Sequence, residues 1–360
     1  MKKIHIKLDD ELHKRLRLGA AEQALSLQDY VHTKLVEVFG DQVKENSQSR
    51  FRFVDLFAGI GGMRIPFQEL GGISVFGCDI DKFARQTYYA FFGEALFGDI
   101  KTIHPKNIPD FDILLAGFPC QPFSQAGLRN GFSDTRGTLF FEIEKILRAK
   151  KPPAILLENV KGLKGHDGGR TMKVIEAALE KSGYQVKSKI LAARDFGLPQ
   201  NRERIYIVGF RSEDAAERFT FPSATGEKTT VGAILERVVD PKYTLSDRLW
   251  EGHQRRRLKH AERGNGFGYG LFDHNSSYTN TISARYYKDG SEILIRRRAG
   301  NPRRLTPTEA ARLQGFPDTI VTKAREAGVS DAQLYKQFGN SVAVNVVRAI
   351  AKQMIEALKL

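Results

Sequence analysis

Only two cysteines, Cys78 and Cys120, occur among the 360 residues, so a disulfide framework is excluded as the source of stability. No Cys/His cluster has the spacing of zinc ligands, and the expected metal content is none. No apolar run approaches the length of a membrane span, and Met1-Lys2-Lys3 leads into an alternating polar and apolar stretch rather than the apolar core of a signal peptide. Internal repeats and low-complexity blocks are also missing. These absences lead to the expectation of a soluble protein of the reducing cytoplasm, where a thiolate persists, with no membrane partner. Acidic residues are in short supply: 42 Asp and Glu face 56 Lys and Arg, a net charge of +14. Cationic surface attracts polyanions and releases their counterions, which favours nucleic acid as the partner. Residues 1–46 hold eight basic and eight acidic residues, so the surplus belongs to the main body.

At this length the chain has room for a large α/β domain with a smaller one and an appendage. Lys3 to Leu8 alternate with period two, the mark of a strand with one basic and one apolar face. Asp9 or Asp10 then caps a helix carrying Leu12, Leu16 and Ala20, and Ser26 a second carrying Leu27, Tyr30, Val31, Leu35 and Val38. This strand-helix-helix unit, residues 1–45, resembles ribbon-helix-helix DNA-binding proteins, whose paired strands enter the major groove. The resemblance implies that Lys3, His5 and Lys7 face base edges and that two chains pair through Ile4, Ile6 and Leu8. An amphipathic extension that only packs on the body or dimerises is the other reading.

From Phe51 onward, apolar runs alternate with helical stretches, the pattern of a mostly parallel sheet with crossover helices. The expected strands are Phe51–Val54, Ile73–Cys78, Ile113–Ala116, Ala154–Leu157 and Ile205–Phe210. After Pro222 the texture loses its period and gains arginine and glycine; a helix over Val342–Leu358 closes the chain.

Chemistry gathers where strands end. Asp55-Leu-Phe57-Ala58-Gly59-Ile-Gly61-Gly62 follows the first strand, and its glycines let a ligand approach the backbone at a helix start. Arg64 stands where a dinucleotide fingerprint needs its last glycine. Asp79 ends the second strand, placed for a ribose diol, and Asp99 is placed for an adenine amino group, so an adenosine-containing cofactor without a pyrophosphate fits. Cys120, in Gly117-Phe-Pro-Cys-Gln-Pro-Phe-Ser124, follows the third strand as a candidate nucleophile, although a lone cysteine is often a small buried hydrophobe. Glu158 ends a further strand, and Gln200-Asn-Arg202-Glu-Arg204 precedes the last with two fork-shaped cations.

Taken in order with Asp134-Thr-Arg-Gly-Thr-Leu139-Phe-Phe and Gly339-Asn340-Ser341-Val342, these motifs make residues 51–356 resemble the bacterial DNA (cytosine-5)-methyltransferases. The resemblance implies an α/β fold: a Rossmann-like S-adenosylmethionine-dependent domain from residues 51–221 and 331–360, and a smaller target-recognition domain at 222–330. It implies that Cys120 adds to C6 of a flipped-out cytosine, that Glu158 holds N3 and the amine, that Arg204 holds the O2 edge, and that Arg202 supports the loop. Gln121 and Ser124 would close over the base. Phe57, Ala58, Gly59, Gly61, Asp79, Asp99, Leu139 and Asn340 would bind S-adenosylmethionine, with Ile80 where the family often has an aromatic. Thr281 and Ile282 take the family's Thr-Leu-like position beside the extruded nucleotide, and the stretch around Arg285 is similar to methylases of CCNGG or CCWGG targets. The expected partners are duplex DNA, a cognate restriction endonuclease and a second copy through the N-terminal arm, which would add promoter binding. Methylation of cytosine-5 in tRNA, and a DNA-binding transcriptional regulator with secondary catalysis, are the competing readings.

Overall fold

Every apolar run expected to be a strand from Phe51 onward is one in the computed structural model of the chain, which describes residues 9–22, 27, 31, 50–119, 139–264 and 268–360. The strands are β1 (Phe51–Leu56), β2 (Gly72–Cys78), β3 (Ile113–Gly117), β4 (Ala154–Val160), β5 (Gln185–Ala192) and β6 (Glu203–Phe210), in the sheet order β2-β1-β3-β4-β6-β5. β1, β2, β3 and β4 pair in parallel, whereas β6 runs antiparallel to both β4 and β5.

Continuous apolar runs follow from burial on both faces. Phe53, Leu115, Leu156 and Val208 pack on one side with Val347, Ile350 and Met354 of the helix Val344–Leu358. Val54, Leu114, Ile155 and Ile207 pack on the other with Ile143 and Leu147 of the helix Leu139–Lys150 and Ile175 and Leu179 of the helix Arg170–Lys181. Truncating a fully buried leucine such as Leu156 to alanine costs about 2–5 kcal/mol at sites of this kind.

β5 was not among the expected strands. Its sequence, QVKSKILA, carries three exposed positions in its middle, Lys187 to Lys189, as suits an edge that must resist further pairing. Lys187 is held inward at its tip, donating to the carbonyls of Ala216 and Phe219 at 2.6 and 2.7 Å.

Beyond residue 222 the chain forms the helix Asp247–Glu262 and a three-stranded sheet of β7 (Leu271–Phe272), β8 (Leu294–Ile295) and β9 (Arg303–Arg304). The helix Pro307–Leu313 starts at a capping box between Thr306 and Glu309. Val231, Ile282, Leu305 and Leu313 share one core with Leu334 and Phe338 of the helix Asp331–Asn340 and with Val344.

The chain divides into two compact units, Met1–Ser49 and Arg50–Leu360. In the first, the helix Asp10–Glu22 begins at Asp9, whose Oδ1 accepts from the Leu12 amide at 2.8 Å, so Asp9 rather than Asp10 is the cap. The strand expected to carry Lys3, His5 and Lys7, and the cap expected at Ser26, lie outside the described residues. Among the described residues no helix is long and apolar enough to cross a membrane.

Candidate active site

The ends of β1, β2, β3 and β4 and the start of the reversed β6 meet at one edge of the sheet, around a cavity of about 540 Å³. Antiparallel β6 is what brings the arginines there: its first residues lie beside the last residues of β4, with Arg204 opposite Val160 and Tyr206 opposite Glu158. Glu158, Arg204, Arg202, Phe57, Ala58, Gly59, Asp79, Ile80, Asp99, Leu139 and Asn340 all line the cavity.

The turn after β1 sets one wall. Phe57, Gly59 and Gly61 have positive φ (56°, 56° and 82°). A side chain on Gly59 would meet open space, consistent with a ligand reaching the backbone there. Gly61 is different from its expected role: it does not line the cavity, and a Cβ on it would lie 2.3 Å from the Phe92 ring. Its small size serves the packing of the helix Lys82–Phe92 against the turn.

Asp79 is tied to this wall. Its Oδ2 accepts from the Gly59 amide at 2.8 Å and its Oδ1 from the Asp81 amide at 2.7 Å, leaving further lone pairs on each oxygen. Burial pushes its carboxyl above the usual carboxylate range, against those two hydrogen bonds. Ile80 is 74% exposed at the rim, and Asp99 caps the turn Ile100–Thr102 by accepting from the Lys101 amide. Leu139 opens its helix, and Asn340 ends the helix Asp331–Asn340.

Across the cavity, Glu158 Oε1 stands 3.2 Å from Arg204 Nε, and both side chains are largely buried. Burial raises the Glu158 carboxyl's proton affinity, and the Arg204 and Arg202 charges oppose this. Arg202 is a strut: its guanidinium donates to the carbonyls of Ile282, Gly339 and Ser341 at 3.2, 3.1 and 2.5 Å. Burial first, then the Arg204 charge, pulls its pKa down to about 9. It therefore joins the start of β6 to both the 281–283 segment and the turn after Asn340, in keeping with a supporting role.

Thr281, Ile282 and Arg285 are not on the cavity wall. Thr281 Oγ1 donates to the Asn201 carbonyl, and the Ile282 amide to Gln200 Oε1. Ile282 is fully buried in the core, so its side chain packs there while its backbone carries the contacts to Gln200 and Arg202. Arg285 is exposed, just before the short helix Tyr286–Asp289. Cys120, Gln121 and Ser124 lie outside the described residues; Phe118 and Pro119, just before them, line the cavity.

Several lining residues escaped the sequence reading. Cys78, the other thiol, ends β2 buried, and burial pushes its pKa up to about 12, which keeps it an unreactive thiol. Asp55 is 1% exposed with Oδ2 unpaired, and burial raises its pKa to about 8, partly offset by Arg64. Its position at the strand end before the glycine turn was the available signal. Asn159, beside Glu158, donates to the Phe118 carbonyl at 2.8 Å and so anchors the chain two residues before Cys120.

Known proteins are similar to this chain in sequence and in fold. Residues 51–356 match the family model of the C-5 cytosine-specific DNA methylases. The chain is 59% identical to the Type II methyltransferase M.SsoII of Shigella sonnei, over 87% of this chain and 82% of the relative. It is 61% identical to the Type II methyltransferase M.NlaX of Neisseria lactamica, over 86% of this chain and 97% of the relative. In fold it is similar to the crystal structure of the S. pombe Dnmt2 methyltransferase, with a TM-score of 0.69 at 22% identity, covering 86% of this chain and all of that one. With a cavity of about 540 Å³ at the strand ends and a buried carboxylate-arginine pair facing it, the chain belongs to the C-5 cytosine-specific DNA methylases and is a DNA (cytosine-5) methyltransferase.

Proposed function

We infer that the enzyme methylates C5 of one cytosine within a specific duplex sequence, as the modification half of a restriction-modification system. The observation that carries this reading is the Glu158–Arg204 pair, held on adjacent strands at the same cavity as Asp79 and the glycine turn. The names of the two relatives, both Type II methyltransferases, support the restriction-modification setting and a cognate endonuclease as partner. The resemblance of the stretch Arg285-Tyr-Tyr-Lys-Asp-Gly290 to methylases of CCNGG or CCWGG targets supports a target of that type, read by residues 222–330.

S-adenosylmethionine fits the residues present. The cavity of about 540 Å³ is within the ~300–1,000 Å³ of small-molecule sites. Asp79 has lone pairs free for a ribose diol, Asp99 lines the same cavity for the adenine amine, and Gly59 leaves the backbone open. Phe57, Ala58, Ile80, Leu139 and Asn340 supply the remaining wall. When bound, this cofactor supplies an electrophilic methyl on a sulfonium.

Cytosine C5 is too weak a nucleophile to take that methyl unaided. The Cys120 thiolate forms a bond to C6, and the C5–C6 π electrons become an enamine centred on C5. Glu158, whose proton affinity burial raises, hydrogen-bonds N3 and the exocyclic amine and relieves the charge that accumulates as the thiolate adds. Arg204 steadies the O2 edge and holds Glu158 in place. After methylation, loss of the C5 proton and departure of the Cys120 sulfur restore the aromatic ring. C6 is inaccessible inside a stacked duplex, so the cytosine must leave the helix to meet this cavity. The N-terminal unit, read as a ribbon-helix-helix arm, would pair two chains and bind promoter DNA for autoregulation.

The test is transfer of labelled methyl to duplex DNA, with tRNA as the parallel acceptor. Transfer to DNA that is lost in Cys120→Ser, with cofactor binding retained, is the expected result; transfer to tRNA alone would overturn the substrate, and unchanged turnover the nucleophile.

A further inference from the structure

Two oppositely charged side chains from distant parts of the chain meet at the rim of the cofactor cavity. Asp81, three residues beyond the end of β2 and two after Asp79, accepts from Lys336 Nζ at 2.6 Å through its Oδ2. Its other oxygen caps the helix Lys82–Phe92, accepting from the Phe83 and Ala84 amides at 2.9 and 3.2 Å. Its own amide donates to Asp79 Oδ1, whose other oxygen is held by Gly59. A continuous polar chain therefore runs from Lys336 through Asp81 to both oxygens of Asp79 and on to the glycine turn. Asp81 and Lys336 line the same cavity as Asp79.

The ion pair is partly exposed, so its own contribution to stability is small. The helix Lys82–Phe92 is held to the C-terminal helices by uncharged contacts as well, Thr87 to Gln337 and Gln86 to the Ala327 carbonyl. Docking of the helix thus does not depend on Lys336. What the lysine adds is charge: it sits on the acidic side chain nearest Asp79 in sequence and offsets the repulsion between two carboxylates crowded at one strand end.

We propose that Lys336 is a positioning residue for the cofactor's ribose, acting through Asp81 to hold Asp79 where it accepts from the ribose hydroxyls. This rests on the reading of the cavity as an S-adenosylmethionine site. Lys336 belongs to the helix that ends in Asn340, so one segment of the chain's C-terminal return would serve the cofactor twice, Asn340 from the cavity wall and Lys336 through Asp79.

The test is calorimetric binding of adenosine, 2′,3′-dideoxyadenosine and S-adenosylhomocysteine to the full chain and its Lys336→Met, Lys336→Arg, Asp81→Asn and Gln86→Ala variants. Asparagine keeps the cap but loses the ion pair. Lys336→Met and Asp81→Asn should weaken adenosine and S-adenosylhomocysteine by the same factor, about fivefold. Lys336→Arg should restore affinity, Gln86→Ala should leave it unchanged, and kcat at saturating cofactor should hold. With 2′,3′-dideoxyadenosine the difference between wild type and Lys336→Met should vanish, which a merely structural lysine would not produce. Weakened S-adenosylhomocysteine with unchanged adenosine would place Lys336 at the methionine end and overturn the proposal, as would unchanged binding of both. Failure of the wild type to bind either nucleoside would instead overturn the reading of the cavity itself.

Discussion

Glu158 Oε1 lies 3.2 Å from Arg204 Nε although the two residues sit on strands running in opposite directions. Glu158 faces Tyr206 across the ladder and Arg204 faces Val160, so the pair is a diagonal one, within reach of long side chains on a common sheet face. Replacing Glu158 with glutamine keeps its shape and removes the ionisable carboxyl. Turnover of duplex DNA should fall by about 10²–10³-fold, as for loss of a general acid, while S-adenosylhomocysteine binding stays as it was. Single-turnover methyl transfer together with calorimetry checks both halves.

Asp79 makes a different demand. Asp79→Asn retains one acceptor but loses the charge that strengthens a hydrogen bond from a hydroxyl. Cofactor affinity should drop by about 10-fold or more, in line with a charged hydrogen bond, with kcat at saturating cofactor little changed. An equal fall in kcat and affinity would count against a ribose role.

The pH dependence of stability should carry the signature of Asp55. Its carboxyl holds a proton in the folded state up to about pH 8, against an ordinary value of 3.8. Between those values the folded state binds the extra proton, so stability is highest below the lower one and declines as pH rises through the upper. Thermal stability of the wild type should fall from pH 5 to pH 8 more steeply than that of Asp55→Asn. Parallel curves would assign the slope to other groups.

Gly61 and Gly59 should separate fold from ligand. Gly61→Ala drives a methyl into the Phe92 ring at a positive φ and should destabilise the protein by about 2 kcal/mol or more. Gly59→Ala meets no neighbour and carries only the conformational strain of its φ, about 1 kcal/mol. Its larger effect should fall on cofactor affinity. Melting temperatures and binding constants for the two variants distinguish these outcomes.

Much of the sheet was legible because buried parallel strands spell themselves as apolar runs: Ile113 to Ala116 and Ala154 to Leu157 could be read directly. β5 was not, since an edge strand with lysines along its middle lacks that spelling. Strand direction carries no periodic signal either. Arg202 and Arg204 line the cavity at the strand ends, but the reversal of β6 that brings them there is a property of pairing. Gly61 and Ile282 were read into the site from their neighbours in sequence, while packing turned Gly61 toward Phe92 and Ile282 into the core. The Asp81–Lys336 contact joins residues 255 positions apart, a distance over which spacing is silent.

The reversal of β6 also decides which parts of the gene tolerate length change. Arg204 reaches Glu158 by ladder register, so a length change in the turn at residues 164–169, ahead of the helix Arg170–Lys181, leaves the pair in place, provided β6 enters the sheet beside β4. A single residue inserted within β6 after Arg204 would do the opposite. The remaining strand would keep its apolar pairing, and the guanidinium would swing to the far face of the sheet, away from the carboxylate it is meant to meet.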